Sequence, residues 1–220
     1  MKTFKTLLLG LTLALMIATP VLAQDDDEVE WVEYETVSGA VTISHPADWL
    51  ISDLNQQEEV LLIVLISFAN NENLLERIID ADFEMHPGDK GGFILGMPEA
   101  FMSAFGFDMD DDSLTPRTIA AGFVELFLQD DESVDWDYGE PDTIQLLDQP
   151  VIGFVPVTNA EANIEGIFYY YRHDGFVVIG IIQAYTDEYD EAFQEIAVDM
   201  VLSFESSISA EEAIEGLSID

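Results

Sequence analysis

Cysteine is absent from all 220 residues. Its absence excludes disulfides, zinc–thiolate sites, iron–sulfur clusters and thiol catalysis. Basic residues are almost as scarce: six Lys and Arg stand against 45 Asp and Glu, a formal net charge of −39. A surface of that sign repels nucleic acid and anionic lipid, both of which need neutralising cations. Histidine occurs three times, as His45, His86 and His173. They are far apart in the chain, without the close donor spacing of a histidine metal site. Long apolar runs are missing too. Leu7–Ala18 and Val60–Ala69 are the longest, and each falls short of the roughly 20 residues that span a bilayer.

What is present starts with an export signal. Met1–Lys5 is a basic head, residues 7–18 are apolar, and Thr19–Ala23 ends in small residues. The pattern predicts a signal peptide over 1–23 with cleavage before Gln24. No cysteine follows, so a bacterial lipoprotein anchor is excluded. The expected location is outside the cytoplasm: extracellular, periplasmic or at the cell surface, soluble, with no membrane insertion after signal removal. Export without disulfides points to a bacterial or archaeal source and a core that folds unaided. Removing Lys2 and Lys5 leaves 45 acids against Arg77, Lys90, Arg117 and Arg172, a net of −41. Yet 49% of the chain is hydrophobic, too much for a disordered acidic polymer. A packed core in an acidic coat fits, and strong salt would screen its self-repulsion. A saline or cation-rich exterior is the expected habitat.

Residues 24–34 open on the charge run "QDDDEVE" and are expected to form an acidic, flexible leader. Strands are expected over 31–36 and 40–44 around Ser38-Gly39, over 60–69, 91–97, 143–147, 151–157, 164–173 and 176–184. Asp174-Gly175 between two β-rich runs is a strong hairpin signal, because both positions need positive φ. "FVVIGIIQA" is expected at the centre of the sheet. Residues 70–80 hold a short helix with Leu74, Leu75, Ile78 and Ile79. Residues 98–112 read as irregular. Thr115-Pro116 opens a helix with Thr as cap and an apolar stripe of Ile119, Phe123, Leu126 and Phe127. Thr186 is expected to cap a last helix burying Tyr189, Phe193, Ile196, Ala197 and Met200. Residues 206–220 form an acidic C-terminal tail, helical around 210–214. Hairpins mixed with two main helices imply a single α+β domain with a mainly antiparallel sheet.

The order of these pieces is similar to a known family. A Gly–strand–Pro-x-x-Trp segment (Gly39 to Trp49), the hairpin "GIFYYYRHDGFVVIGIIQA" and a final helix running into "VLSFES" together resemble the PsbP-like family over residues 35–205. The resemblance implies an α/β/α sandwich. It implies no single activity: the family includes a photosystem accessory protein and a nuclear GTPase-binding protein, and it supplies no catalytic motif. Many members carry an aromatic residue where His45 stands here.

Candidate chemistry is thin. "DMDDDS" (108–113) resembles a calcium loop, but counting from Asp108 the sixth position is Ser113 and the twelfth is Ile119, where an EF-hand needs Gly and Glu. A solvated acidic loop is the plainer reading. A looser calcium site on Asp108, Asp110, Asp111 and Asp112 is the alternative. No Gly-x-Ser-x-Gly elbow is present, and with 45 acids no carboxylate pair stands out. Lys90 in "GDKGG" lacks phosphate-loop spacing and reads as a turn residue. Tyr169, Tyr171 and Tyr170 alternate faces of a strand, with Tyr170 expected outward. "HPADW" (45–49) reads as a folding device. Pro46 cannot donate to a continuing ladder, and Trp49 then closes one end of the apolar layer, while His45 is expected to have no buried partner. The leading expectation is a non-catalytic exported accessory or binding domain, monomeric, with a protein or small-molecule partner and no cofactor. Weak calcium binding, or a hydrolase built from scattered acids and histidines, are the alternatives.

Overall fold

The computed structural model describes residues 29–37, 39–53, 64–80, 84–111, 113–128, 136–145 and 150–215. The expected signal segment (1–23) and residues 24–28 of the expected leader lie outside these, as do Ser38, residues 54–63, 81–83, Asp112, residues 129–135, 146–149 and 216–220. The chain divides at Glu30/Trp31, and every element below belongs to the unit from Trp31 onward.

The late hairpin organises the molecule. β9 (Ile164–His173) and β10 (Phe176–Tyr185) pair antiparallel in register from His173–Phe176 to Ile164–Tyr185. Between them Asp174 and Gly175 take φ of 48° and 80°, the two left-handed positions that Asp-Gly tolerates. β10 then pairs β5 (Lys90–Pro98) on its other edge. The main sheet runs β3 (Leu50–Asp53), β4 (Val64–Ala69), β5, β10, β9, β8 (Val151–Asn159), β6 (Asp137–Tyr138), with β7 (Asp142–Gln145) also on β8. Every pairing is antiparallel. β10 sits centrally, as its apolar sequence requires. A second, three-stranded sheet runs β1 (Trp31–Glu35), β2 (Val41–Pro46), β11 (Glu205–Ser206).

Helices α1 (Glu72–Ile79), α2 (Pro116–Leu128), α3 (Glu191–Leu202) and α4 (Ala210–Glu215) supply the layers. On one face of the main sheet, Ile119, Ala120, Phe123 and Val124 of α2 pack on Val155, Phe168, Tyr170, Val177 and Ile179. On the other, Phe193, Ala197, Met200 and Val201 of α3 share a core with Tyr169, Tyr171, Val178 and Ile182, and with Val41 and Ile43 of the small sheet. The approach is close enough that side chains are excluded. A Cβ on Gly153 would stand 2.0 Å from the Pro116 carbonyl oxygen, and one on Gly180 would stand 2.6 Å from a Val201 methyl. The result is a mixed α+β fold with a mainly antiparallel sheet.

Several local expectations change. Residues 99–105 form a 3-10 helix closed by Gly106 at φ 86°, where an irregular segment was expected. Leu126 is 46% exposed, because it lies in the last turn of α2 at the margin of the buried arc; the Phe127 side chain lies outside the described residues. Thr186–Glu188 is a separate 3-10 turn. The cap of α3 is Asp190, whose side chain accepts from the Phe193 N–H at 2.8 Å. The C-terminal segment is helical over Ala210–Glu215, with Ala213 buried in the α3-side core.

Candidate functional site: the open edge of β1

The residues singled out by sequence do not converge. At the "HPADW" corner, Trp49 N–H donates to the Pro46 carbonyl at 3.0 Å, which closes the bend. Trp49 is 7% exposed and stacks on Phe68 and Phe193, with centroids at 5.7 and 6.1 Å. His45 is also buried, at 9% exposure, and its Nδ1 lies 2.8 Å from the Pro46 carbonyl oxygen. A carbonyl only accepts, so Nδ1 carries the proton. That corrects the expectation of a histidine without a buried partner: β2 turns His45 to the inner face, opposite Val32. His86 and His173 sit at opposite ends of the sheet, since His86 precedes β5 while His173 registers with Phe176 and hence with Pro98 at the far end of β5.

Two carboxylates of the 108–113 loop are used on the loop itself. Asp108 Oδ1 accepts from the Asp110 N–H at 3.2 Å, and Asp111 Oδ1 from the Ser113 N–H at 2.8 Å. The Ser113 bonds hold the Asp111 carboxyl below its ordinary range. Asp112 lies outside the described residues. Among the described residues no three His, Asp or Glu side chains converge in a metal-binding arrangement.

Tyr170 is buried, which corrects the expectation of an outward ring. It stacks on Phe123 under α2, so both faces of the strand are core. Tyr171 donates to the Val201 carbonyl at 2.5 Å, whereas the Tyr170 hydroxyl has no hydrogen-bond partner among the described residues. Burial pushes both phenols up, and Glu99 beside the Arg172 guanidinium adds to Tyr170 less than that guanidinium subtracts. Lys90 begins β5 instead of sitting in a turn; its Nζ lies 3.4 Å from Glu188 and over the Phe193 ring at 5.8 Å.

One polar constellation was missed. Asp89, buried, accepts from Arg77 at 2.5 Å, from the His86 N–H at 2.8 Å and from Asn71 at 2.9 Å. Burial raises its pKa, but these bonds outweigh it and hold the carboxyl below its ordinary range. Arg77 also reaches the Glu84 carbonyl, and Asn71 caps α1 through the Leu74 N–H. The arrangement braces α1 to the start of β5. Spacing gives no sign of it, because its members come from α1 and from a loop 12 residues away.

The feature that faces outward is β1. Thr36 N–H donates to the Val41 carbonyl at 2.9 Å, so in this antiparallel register Tyr34–Ile43 and Val32–His45 are the hydrogen-bonded pairs. Ser44 N–H agrees with that phase: it turns away from β1 and donates to Ser203 Oγ at 2.7 Å. The backbone groups of Trp31, Glu33 and Glu35 therefore point away from β2, and no described strand pairs with them. Side chains alternate. Tyr34 joins the α3-side core, and its hydroxyl meets the Asp53 backbone at the end of β3. Burial and the Asp53 carboxylate together raise the Tyr34 phenol. Val37 N–H donates to Asp53 Oδ2 at 3.2 Å. Trp31 and Val32 are each 37% exposed, and Glu33 and Glu35 are exposed on the outer face. Glu205 extends that face across the sheet, because it registers with Thr42 as Glu35 does.

No family model matches the chain, and no curated protein matches it in sequence. No helix of the described residues is long and apolar enough to cross a membrane. Solved structures do match. Cyanobacterial PsbP (CyanoP) from Synechocystis sp. PCC 6803 superposes with a TM-score of 0.51 at 8% identity, covering 86% of this chain and 97% of that one. A point mutant of the protein Mog1 matches with a TM-score of 0.47 at 14% identity, over 84% and 99% of the two chains. With helices on both faces of a mainly antiparallel sheet and coverage of nearly the whole of CyanoP, the chain has a PsbP-like fold.

Proposed function

We propose that this chain is a non-catalytic accessory domain, exported by its N-terminal segment, that acts by binding through the β1 edge of its small sheet. The observation that carries the reading is the combination on β1. Its backbone groups at Trp31, Glu33 and Glu35 face outward, and exposed Trp31 and Val32 stand beside exposed carboxylates. Exposed edges with aromatic side chains are a recurrent means of protein recognition. The fold likeness to cyanobacterial PsbP supports the architecture, and the family resemblance supports an accessory role.

The experiment is complementation of a strain lacking the coding gene. Replacing His45, His86 and His173 one at a time by Gln should restore the wild-type phenotype, whereas Trp31→Ala with Val32→Thr should not, although the secreted protein remains folded. Loss of complementation by His86→Gln or His173→Gln in a folded protein would favour the hydrolase reading and overturn this one.

A further inference from the structure

We propose that β1 receives an extended, Lys- or Arg-rich segment of another polypeptide as an added antiparallel strand. This rests on the reading of β1 as the binding edge and names the class of its partner. The outward N–H and C=O groups of Trp31, Glu33 and Glu35 offer a ladder of alternate residues. The side chains beside it set the chemistry: an incoming strand meets Glu33 and Glu35 on its outer face and Val32 on its inner face. Residues 24–35 carry seven acids and no cation, so the charge continues along the chain that leads into β1.

The chain does not supply the complementary charge itself. After Lys5 its cations are Arg77, Lys90, Arg117 and Arg172. Arg77 is paired with Asp89, Lys90 with Glu188 and Arg172 with Glu99. Arg117 sits in the first turn of α2, the helix that packs on the main sheet. The segments outside the described residues contain no Lys or Arg beyond Lys5. A second copy is also disfavoured. Antiparallel pairing of two β1 strands about Glu33 sets Glu33 against Glu33, and like charges directly opposite are destabilising. It would also join two chains of net charge −39. A cationic partner strand satisfies both the ladder and the carboxylates.

The probe is a synthetic octapeptide of alternating Lys and Val, titrated at about 0.1 M salt, where the Debye length is about 10 Å, into the isotope-labelled protein. Two controls accompany it: an alternating Glu–Val peptide, and the Lys–Val peptide with Pro at alternate positions. Amide exchange is read residue by residue. In the free protein the amides of Trp31, Glu33 and Glu35 should exchange fast and those of Val32 and Tyr34 slowly. The Lys–Val peptide should slow the first three and leave the other two unchanged. The Glu–Val peptide should not bind, and the double variant Glu33→Lys/Glu35→Lys should weaken the Lys–Val peptide about tenfold, from two cross-strand pairs turned repulsive. Equal affinity for the Pro-containing peptide would overturn strand addition in favour of diffuse charge attraction. Fast edge amides that the Lys–Val peptide leaves fast would overturn the basic partner while leaving the β1 reading standing. Edge amides already slow in the free protein would overturn both.

Discussion

Trp49 shows how a single residue settles a reading that the sequence left between two roles. Its ring stacks on Phe68 of β4 and on Phe193 of α3, so it couples the sheet to the helix layer. Trp49→Ala should cost about 3–5 kcal/mol, measured by chemical denaturation; a variant as stable as wild type would return the ring to the surface. The adjacent tyrosines give a sharper comparison. Tyr171→Phe removes the bond to the Val201 carbonyl and should cost about 0.5–1.5 kcal/mol, the net value of a typical hydrogen bond. Tyr170→Phe removes a buried hydroxyl without a partner among the described residues, so it should be neutral or stabilising in the same assay. The alternation that sends these rings to opposite faces was legible. That both faces are covered was not, because it depends on α2, whose helix begins 54 residues before Tyr170 in the chain.

At the scale of elements, the strands and helices rich in local signals emerge where expected, and those defined by distant partners do not. Asp-Gly placed the β9–β10 turn, and Thr115-Pro116 the start of α2, where Thr118 N–H bonds Thr115 Oγ1 at 3.3 Å. The cap of α3 is Asp190 and not the expected Thr186; both are good capping residues, and only the intervening 3-10 turn decides between them. The Asp89 brace between α1 and β5 yields a pH prediction. Its carboxyl titrates below the unfolded value of about 3.9. The stabilisation is therefore present above that value and lost as pH falls through the folded pKa. Asp89→Asn should cost about 1.5–3 kcal/mol at neutral pH, the range for hydrogen bonds to a charged group. The difference from wild type should close below pH ~4 in urea titrations. A gap that stays constant down to pH ~2 would show that the charge on Asp89 contributes nothing.

The whole molecule carries −39 on a folded core, so long-range repulsion is a property of the entire surface. Sodium chloride shortens the Debye length from about 10 Å at 0.1 M to about 3 Å at 1 M. The melting midpoint should therefore rise from low to molar salt, and a flat or falling midpoint would show that repulsion is not the dominant surface effect. The ion pairs Arg77–Asp89, Lys90–Glu188 and Arg172–Glu99 work against this trend, since salt weakens them too. Three such pairs among the described residues, against 45 acids in the chain, leave the repulsion as the expected dominant effect.

The sequence by itself determined the charge, the lack of thiol chemistry, the antiparallel hairpins and the α+β class. Each follows from composition or from periodicities of two and 3.6 residues, which are local. It also marked the corner after β2, where the Trp49 N–H returns to the Pro46 carbonyl. Only the tertiary structure decided which faces are covered, that His45 is buried, that Asp89 gathers three donors, and that β1 lies in a separate small sheet with an edge that no strand of the described residues pairs. The physical reason is the same in each case. Burial and edge exposure depend on what packs across from a residue, and here the neighbours come from segments tens of residues away, as with Ser44 and Ser203.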